Sequence, residues 1–90
     1  MLDIKSLRVF VEVYECGGIG RASSSLHTVQ SAVSARMKRL ESVLGVNLFE
    51  RRARGVEVTP EGEKLYEYAK RVLALVEETE TAVKWKKDVA

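Results

Sequence analysis

Apolar positions along the chain fall into four stretches with helical spacing, interrupted once by a region where the spacing drops to two. In the first stretch, about residues 4–15, Leu7, Val11 and Tyr14 recur at helical intervals with Phe10 beside them, and Asp3 can cap the start. Gly17-Gly18 breaks this segment. The second, about residues 19–26, is short, with Ile19, Ala22 and Leu26 on one side and Gly18 as a weaker cap. The third, about residues 28–44, carries Val29, Val33, Met37, Leu40 and Leu44, which step by four, four, three and four into one apolar stripe. Gly45 follows where a left-handed C-cap belongs.

The period then changes. Residues 48–51 and 56–59 are strand candidates, and Arg52-Ala53-Arg54-Gly55 joins them as a hairpin with a basic tip. Thr59-Pro60 predicts an N-cap followed by proline at the first helical position. The last helix runs from Pro60 to about Lys86, roughly 40 Å at 1.5 Å per residue, too long to be covered by so small a module.

Composition narrows the function classes. A chain of 90 residues buries only about 60% of its unfolded surface, which excludes a large catalytic cleft between lobes. The net charge of +2 hides its distribution: residues 1–18 carry −1, residues 19–56 carry +5 and residues 57–90 carry −2. A basic middle lies between mildly acidic flanks, and the local field matters more to a partner than the total. One Cys and one His allow neither an intrachain disulfide nor a zinc site of ordinary ligand count, so no metal is expected. There is no nucleophile–base pair at plausible spacing and no phosphate-cradling loop; Gly17-Gly18-x-Gly20 lacks the preceding strand of a dinucleotide site. Neither an enzyme nor a cofactor is expected. No apolar run approaches the roughly 20 residues of a membrane span. The N-terminus lacks signal-peptide features, so the expected location is the cytoplasm.

Helix, short helix, turn, amphipathic helix and basic hairpin, in that order, predict a mainly α fold. It is a winged helix-turn-helix of three helices and a two-stranded wing over residues 1–59, followed by a long linker helix over residues 60–90. On the third helix, Ser31, Ser34, Ala35 and Lys38 fall opposite the apolar stripe at 100° per residue. Short side chains allow close approach to a major-groove floor. Gln30 can offer a donor–acceptor pair to an adenine edge, Ser31 and Ser34 can bond bases or phosphate, and Lys38 extends the positive surface. Arg51, Arg52 and Arg54 on the ribbon can reach backbone phosphates or a narrow minor groove. The expected partner is double-stranded DNA. The competing reading is a winged-helix module that binds protein without DNA, a use the same fold supports.

Residues 21–34, with Gln30-Ser31-Ala32-Val33-Ser34, and then Lys38-Arg39-Leu40-Glu41 resemble the helix-turn-helix of LysR-type transcriptional regulators. Leu44-Gly45-Val46-Asn47-Leu48-Phe49-Glu50-Arg51 and Val58-Thr59-Pro60-Glu61-Gly62 resemble that family's wing and linker start, and the resemblance runs from about Leu2 to Val83. It implies a bacterial transcription factor that reads an imperfect inverted repeat as a dimer, with paired antiparallel linker helices. It also implies a following domain that senses a small-molecule effector, higher oligomers of the longer chain, and an excised N-terminal fragment here. The family's base contacts fall on Gln30, Ser31 and Ser34, and its wing contacts on Arg51, Arg52 and Arg54. The chain departs from the family pattern at Val29, Ser31 and Ala35, where serine, proline and arginine are common; the next arginine, Arg36, is directed toward phosphate rather than bases.

On the last helix, Leu65, Ala69, Val72, Val76, Thr79 and Val83 form a heptad seam, widened by Leu73 and Tyr66. The simplest cover is the same helix of a second copy, giving a homodimer with two reading heads. Cys16 is expected to be a small packed residue rather than a redox sensor, and His27 a packing or backbone-bonding residue. Trp85 is placed to dock on a partner or on a following domain.

Overall fold

The computed structural model describes the backbone of residues 1–89 and the side chains of residues 1–84. Trp85 therefore lies outside the described side chains. Helix α1 (Ile4–Cys16) starts where the Asp3 carboxylate accepts the Ser6 amide at 2.7 Å. That bond satisfies one of the free N–H groups of the first turn and holds the Asp3 carboxyl below its usual range. Leu7, Val9, Phe10, Val11 and Val13 are all buried, a wider arc than one stripe, because α1 is the central helix. Helices α2 (Ile19–Ser25) and α3 (Gln30–Leu44) pack on one side of it and α4 (Pro60–Val89) on the other.

The third helix begins two residues later than the sequence pattern suggests. The Thr28 amide donates to the Ser23 carbonyl at 2.9 Å, His27 adopts φ 55°, and Val29 is extended, so residues 26–29 are used up in the turn. Only Val33, Met37 and Leu40 of the expected stripe are buried; Val29 is 64% exposed and Leu44 lies at the surface. Gly45 does form the left-handed C-cap, with φ 70°.

Strands β1 (Phe49–Arg52) and β2 (Gly55–Val58) pair antiparallel with Phe49 opposite Val58 and Arg52 opposite Gly55. Each strand lies one residue nearer the turn than expected, with the pairing register unchanged. Ala53-Arg54 alone makes the turn, and Gly55 closes it at φ 118°, a conformation that favours glycine. Leu48 is wholly buried, and its carbonyl accepts the Thr59 amide at 3.0 Å.

Thr59 does two things at the start of α4. Its hydroxyl accepts the Gly62 amide at 3.0 Å, the expected N-cap, and donates to the Asn47 carbonyl at 2.6 Å. Helix start and wing base are thereby one unit. Gly62 sits so close that a methyl group there would collide with the Leu48 carbonyl oxygen and lie 2.8 Å from Val58 Cγ1.

The first half of α4 belongs to the domain's own core. Ala69 has no exposed surface, and Leu65, Tyr66 and Leu73 pack against the core around α1. This corrects the expected seam: Ala69 serves the protomer itself, with Leu65 and Leu73 beside it, because the seam's first half meets α1. Beyond this region α4 leaves the globule, which gives the molecule extents of 55 × 26 × 20 Å. There Val72, Leu75, Thr79 and Val83 are exposed, Val83 at 73%, and Val76 is half-buried. Leu75 and Tyr68 join this face although the heptad count passed over them.

At the surface of the α1–α4 junction two tyrosines stack. The Tyr14 and Tyr66 rings lie 3.7 Å apart at 6°. Tyr14 Oη donates to Glu63 Oε2 at 2.9 Å, and Tyr66 Oη to Glu15 Oε2 at 2.6 Å, so each ring bonds a carboxylate on the opposite helix. Lys70 Nζ adds an ion pair to the same Glu15 oxygen at 3.4 Å. The bond to Glu15 pushes Tyr66 up to about 12, the bond to Glu63 raises Tyr14, and the bond from Tyr66 lowers Glu15.

Two outcomes follow. Gly62→Ala lowers stability by about 1–3 kcal/mol through overpacking, read from urea melts. The Tyr66–Glu15 bond keeps its full effect below the ordinary tyrosine value of 10.0 and is lost as pH rises through about 12. A tyrosinate absorbance titration therefore contains a late step near 12 that Tyr66→Phe removes; an unchanged late step contradicts the bond.

Candidate nucleic-acid interface

The reading face is assembled by two contacts between α3 and the wing. The Glu41 carboxylate, in the last turn of α3, accepts the Leu48 amide at 2.7 Å and the Phe49 amide at 3.3 Å. A charged acceptor on two backbone donors fixes where the ribbon leaves α3. Further along, Arg51 Nη2 donates to Ser34 Oγ at 2.8 Å. The ribbon's second anchor is thus on the face of α3 expected to meet bases.

Strand alternation then sorts the wing's charges. Phe49 and Arg51 share one face with Val56 and Val58, the face turned to α3 and the core. Glu50, Arg52 and Glu57 share the other. Arg52 pairs with Glu50 at 3.1 Å and with Glu57 at 3.2 Å, in the open. The expectation of one basic tip made by three arginines is corrected here: Arg51 lies along α3, Arg52 is held by two carboxylates, and Arg54 occupies the turn. Arg54 is exposed and makes no ion pair among the described residues.

On α3 itself, Gln30, Ser31, Ala35 and Lys38 are exposed and Ser34 is half-buried beneath Arg51. The Gln30 amide lies over Gly20 at the start of α2, where a methyl group would come within 3.4 Å of Nε2. Gly20 leaves room for that amide at the α2–α3 edge. Arg36 takes another direction: its Nη1 donates to the buried Ser6 hydroxyl of α1 at 3.3 Å, so it braces α3 on α1 rather than pointing to phosphate. Lys5, Arg36 and Arg39 rim an adjoining groove of about 410 Å³ floored by Val9, Leu26 and Val33.

Cys16 is half-buried; partial burial and the neighbouring Glu12 carboxylate push its thiol up, which suits a packed residue. Glu12 also accepts the Ser25 hydroxyl at 2.6 Å, which ties α2 to α1. Among the described residues no group of three or more His, Cys, Asp or Glu could hold a metal ion, and no helix is long and apolar enough to cross a membrane.

Comparison with known proteins bears on this arrangement directly. The family of bacterial regulatory helix-turn-helix proteins of the lysR type matches residues 4–63. The chain belongs to the LysR family. It is 44% identical over 72 residues to the HTH-type transcriptional regulator HdfR of Yersinia pestis (strain Pestoides F), a match covering 80% of this chain and 25% of HdfR. The chain thus spans about a quarter of the length of the curated relatives it matches. The crystal structure of the CbnR DNA-binding domain with DNA superposes with a TM-score of 0.92 at 32% identity, covering 96% of this chain and 99% of that one. The BenM DNA-binding domain with its catB site 1 DNA gives 0.91 at 34% identity, covering 96% and 97%. HdfR is named a transcriptional regulator, and the CbnR and BenM structures are DNA-binding domains in complex with DNA.

Sequence reasoning missed Glu41 as the wing clamp, although it stands in the quoted Lys-Arg-Leu-Glu motif. A carboxylate in the last turn of an amphipathic helix, where the dipole disfavours negative charge and no basic residue offsets it, was the available signal. Glu41→Ala leaves the amides of Leu48 and Phe49 without their acceptor. The expected cost is about 1.5–3 kcal/mol, with faster hydrogen exchange at those two amides. Unchanged exchange there rules out the clamp.

Proposed function

We propose that this LysR-family domain binds double-stranded DNA in a sequence-specific manner as the DNA-reading part of a bacterial transcriptional regulator, working as a homodimer on an inverted repeat in the cytoplasm. The observation that carries this reading is the Arg51–Ser34 bond, which makes the exposed edge of α3 and the wing one continuous surface. In the proposed mode the N-terminal half of α3 enters the major groove. Its side chains there are short, so the backbone can approach base edges closely. Gln30 reads an adenine edge, Ser31 and Ser34 bond bases or phosphate, and Ala35 leaves room beside them. Lys38, Arg51 and Arg54 supply backbone attraction, and the turn at Arg54 lies over the minor groove. Arg52 contributes less, since Glu50 and Glu57 already neutralise it. The exposed residues Val72, Thr79 and Val83, with half-buried Val76, form the homodimer contact along α4, extended by Leu75. The complexes of the CbnR and BenM domains with DNA support the reading. A small-molecule effector belongs to the rest of such a regulator, whose relatives are about three times as long as this chain. A protein-binding module without DNA is disfavoured by the small, polar and basic residues along the exposed edge of α3.

Selection from a random duplex pool is expected to return two half-sites in inverted orientation. Binding falls linearly with the logarithm of salt concentration. Arg54→Ala lowers that slope by about one and weakens all sequences alike, Arg52→Ala does less, and Gln30→Ala costs about 1–3 kcal/mol at a single base pair. Salt-independent binding, or equal loss from Arg52 and Arg54, contradicts the proposed mode.

A further inference from the structure

The α1–α4 junction combines two kinds of contact. Ala69, Leu65 and Leu73 give apolar packing, which is non-directional and tolerates rotation of one helix on the other. The Tyr14–Tyr66 stack is different. Its two hydrogen bonds run in opposite senses, from α1 to Glu63 and from α4 to Glu15, and Lys70 closes on the same Glu15 oxygen. A rotation of α4 on α1 therefore has to stretch or bend these directional bonds. The contact lies about two turns ahead of Leu73, where the packing of α4 on the core ends and Leu75 and Thr79 become exposed. The helix beyond it is a lever of about 25 Å, at 1.5 Å per residue from Leu73 to Val89. A small change of angle at the junction therefore becomes a displacement of several ångströms at its far end.

We infer that Tyr14 and Tyr66, with Glu63 and Glu15, are positioning residues that fix the angle between the reading head and α4, and so set which separation of half-sites the dimer accepts. This rests on the proposed reading of the chain as a dimeric DNA binder. None of the four side chains touches DNA in that reading, so their effect is on spacing and not on base preference. Half-site separation is a geometric property of the dimer, and each added base pair both moves and rotates the second site.

The test uses the 90-residue chain and inverted repeats whose central spacer varies one base pair at a time. Phenylalanine at both positions keeps the stack and removes only the two hydroxyls. The unmodified chain is expected to show one preferred spacer. In the Tyr14→Phe/Tyr66→Phe variant the preference for that spacer over its neighbours falls by about threefold to tenfold, the range a hydrogen bond of ordinary net strength supplies. Affinity for a single half-site stays within about twofold, which separates positioning from loss of fold. Glu15→Gln, which still accepts the Tyr66 hydroxyl, retains the sharper profile, while Glu15→Ala broadens it. An unchanged spacer profile in the double phenylalanine variant overturns this inference and leaves DNA binding standing, as does an unmodified chain that binds with no spacer preference. Failure of the unmodified chain to bind any duplex removes the reading beneath it.

Discussion

The close approach of α4 to the backbone at Leu48 is the constraint from which the rest of the structure follows. Leu48 is wholly buried, its amide is taken by Glu41 of α3, and its carbonyl by Thr59 ahead of α4. Gly62 leaves no Cβ between helix and carbonyl. The end of α3, the base of the wing and the start of α4 therefore meet through one residue. The direction of the wing, the start of α4 and the end of α3 cannot vary independently, and a small domain with little core gains a fixed shape from a few directional bonds.

Much of the architecture was legible because it rests on local rules. The Asp3 cap, the Gly45 C-cap, the Thr59-Pro60 start and the change of period at the wing each depend on residues within a few positions of one another. The departures have a common cause, which is tertiary contact. Val29 fits a four-residue apolar step, yet the α2–α3 turn consumes its backbone and leaves it exposed. Leu65 and Ala69 continue a heptad with Val72 and Val76, yet the core takes in only the first of these pairs, Ala69 wholly and Leu65 in part. A one-dimensional spacing cannot say which neighbour covers a stripe. The same limit hid Glu41 and the tyrosine pair, whose partners lie as much as 51 residues away.

On the candidate reading surface, chemistry and register act together. The pleat sends Arg51 to α3 and Arg52 to two carboxylates, so adjacent arginines acquire different roles from strand alternation alone. Exposed ion pairs of this kind contribute little to stability, but they remove positive charge from the outer wing face and leave it concentrated on the side of α3. Arg36 is likewise diverted into packing by Ser6. The useful charge of the basic middle is thus smaller than its count, and better aimed.

The most direct measurement is an amide NMR titration of the chain with a duplex carrying its selected site. Insertion of one continuous α3–wing surface predicts the largest shifts at Gln30, Ser31, Ser34 and Ala35 together with Arg51 and Arg54, saturating at one common concentration. Shifts confined to Glu50, Arg52 and Glu57, or to the groove rimmed by Lys5, Arg36 and Arg39, with the first turns of α3 unmoved, contradict it.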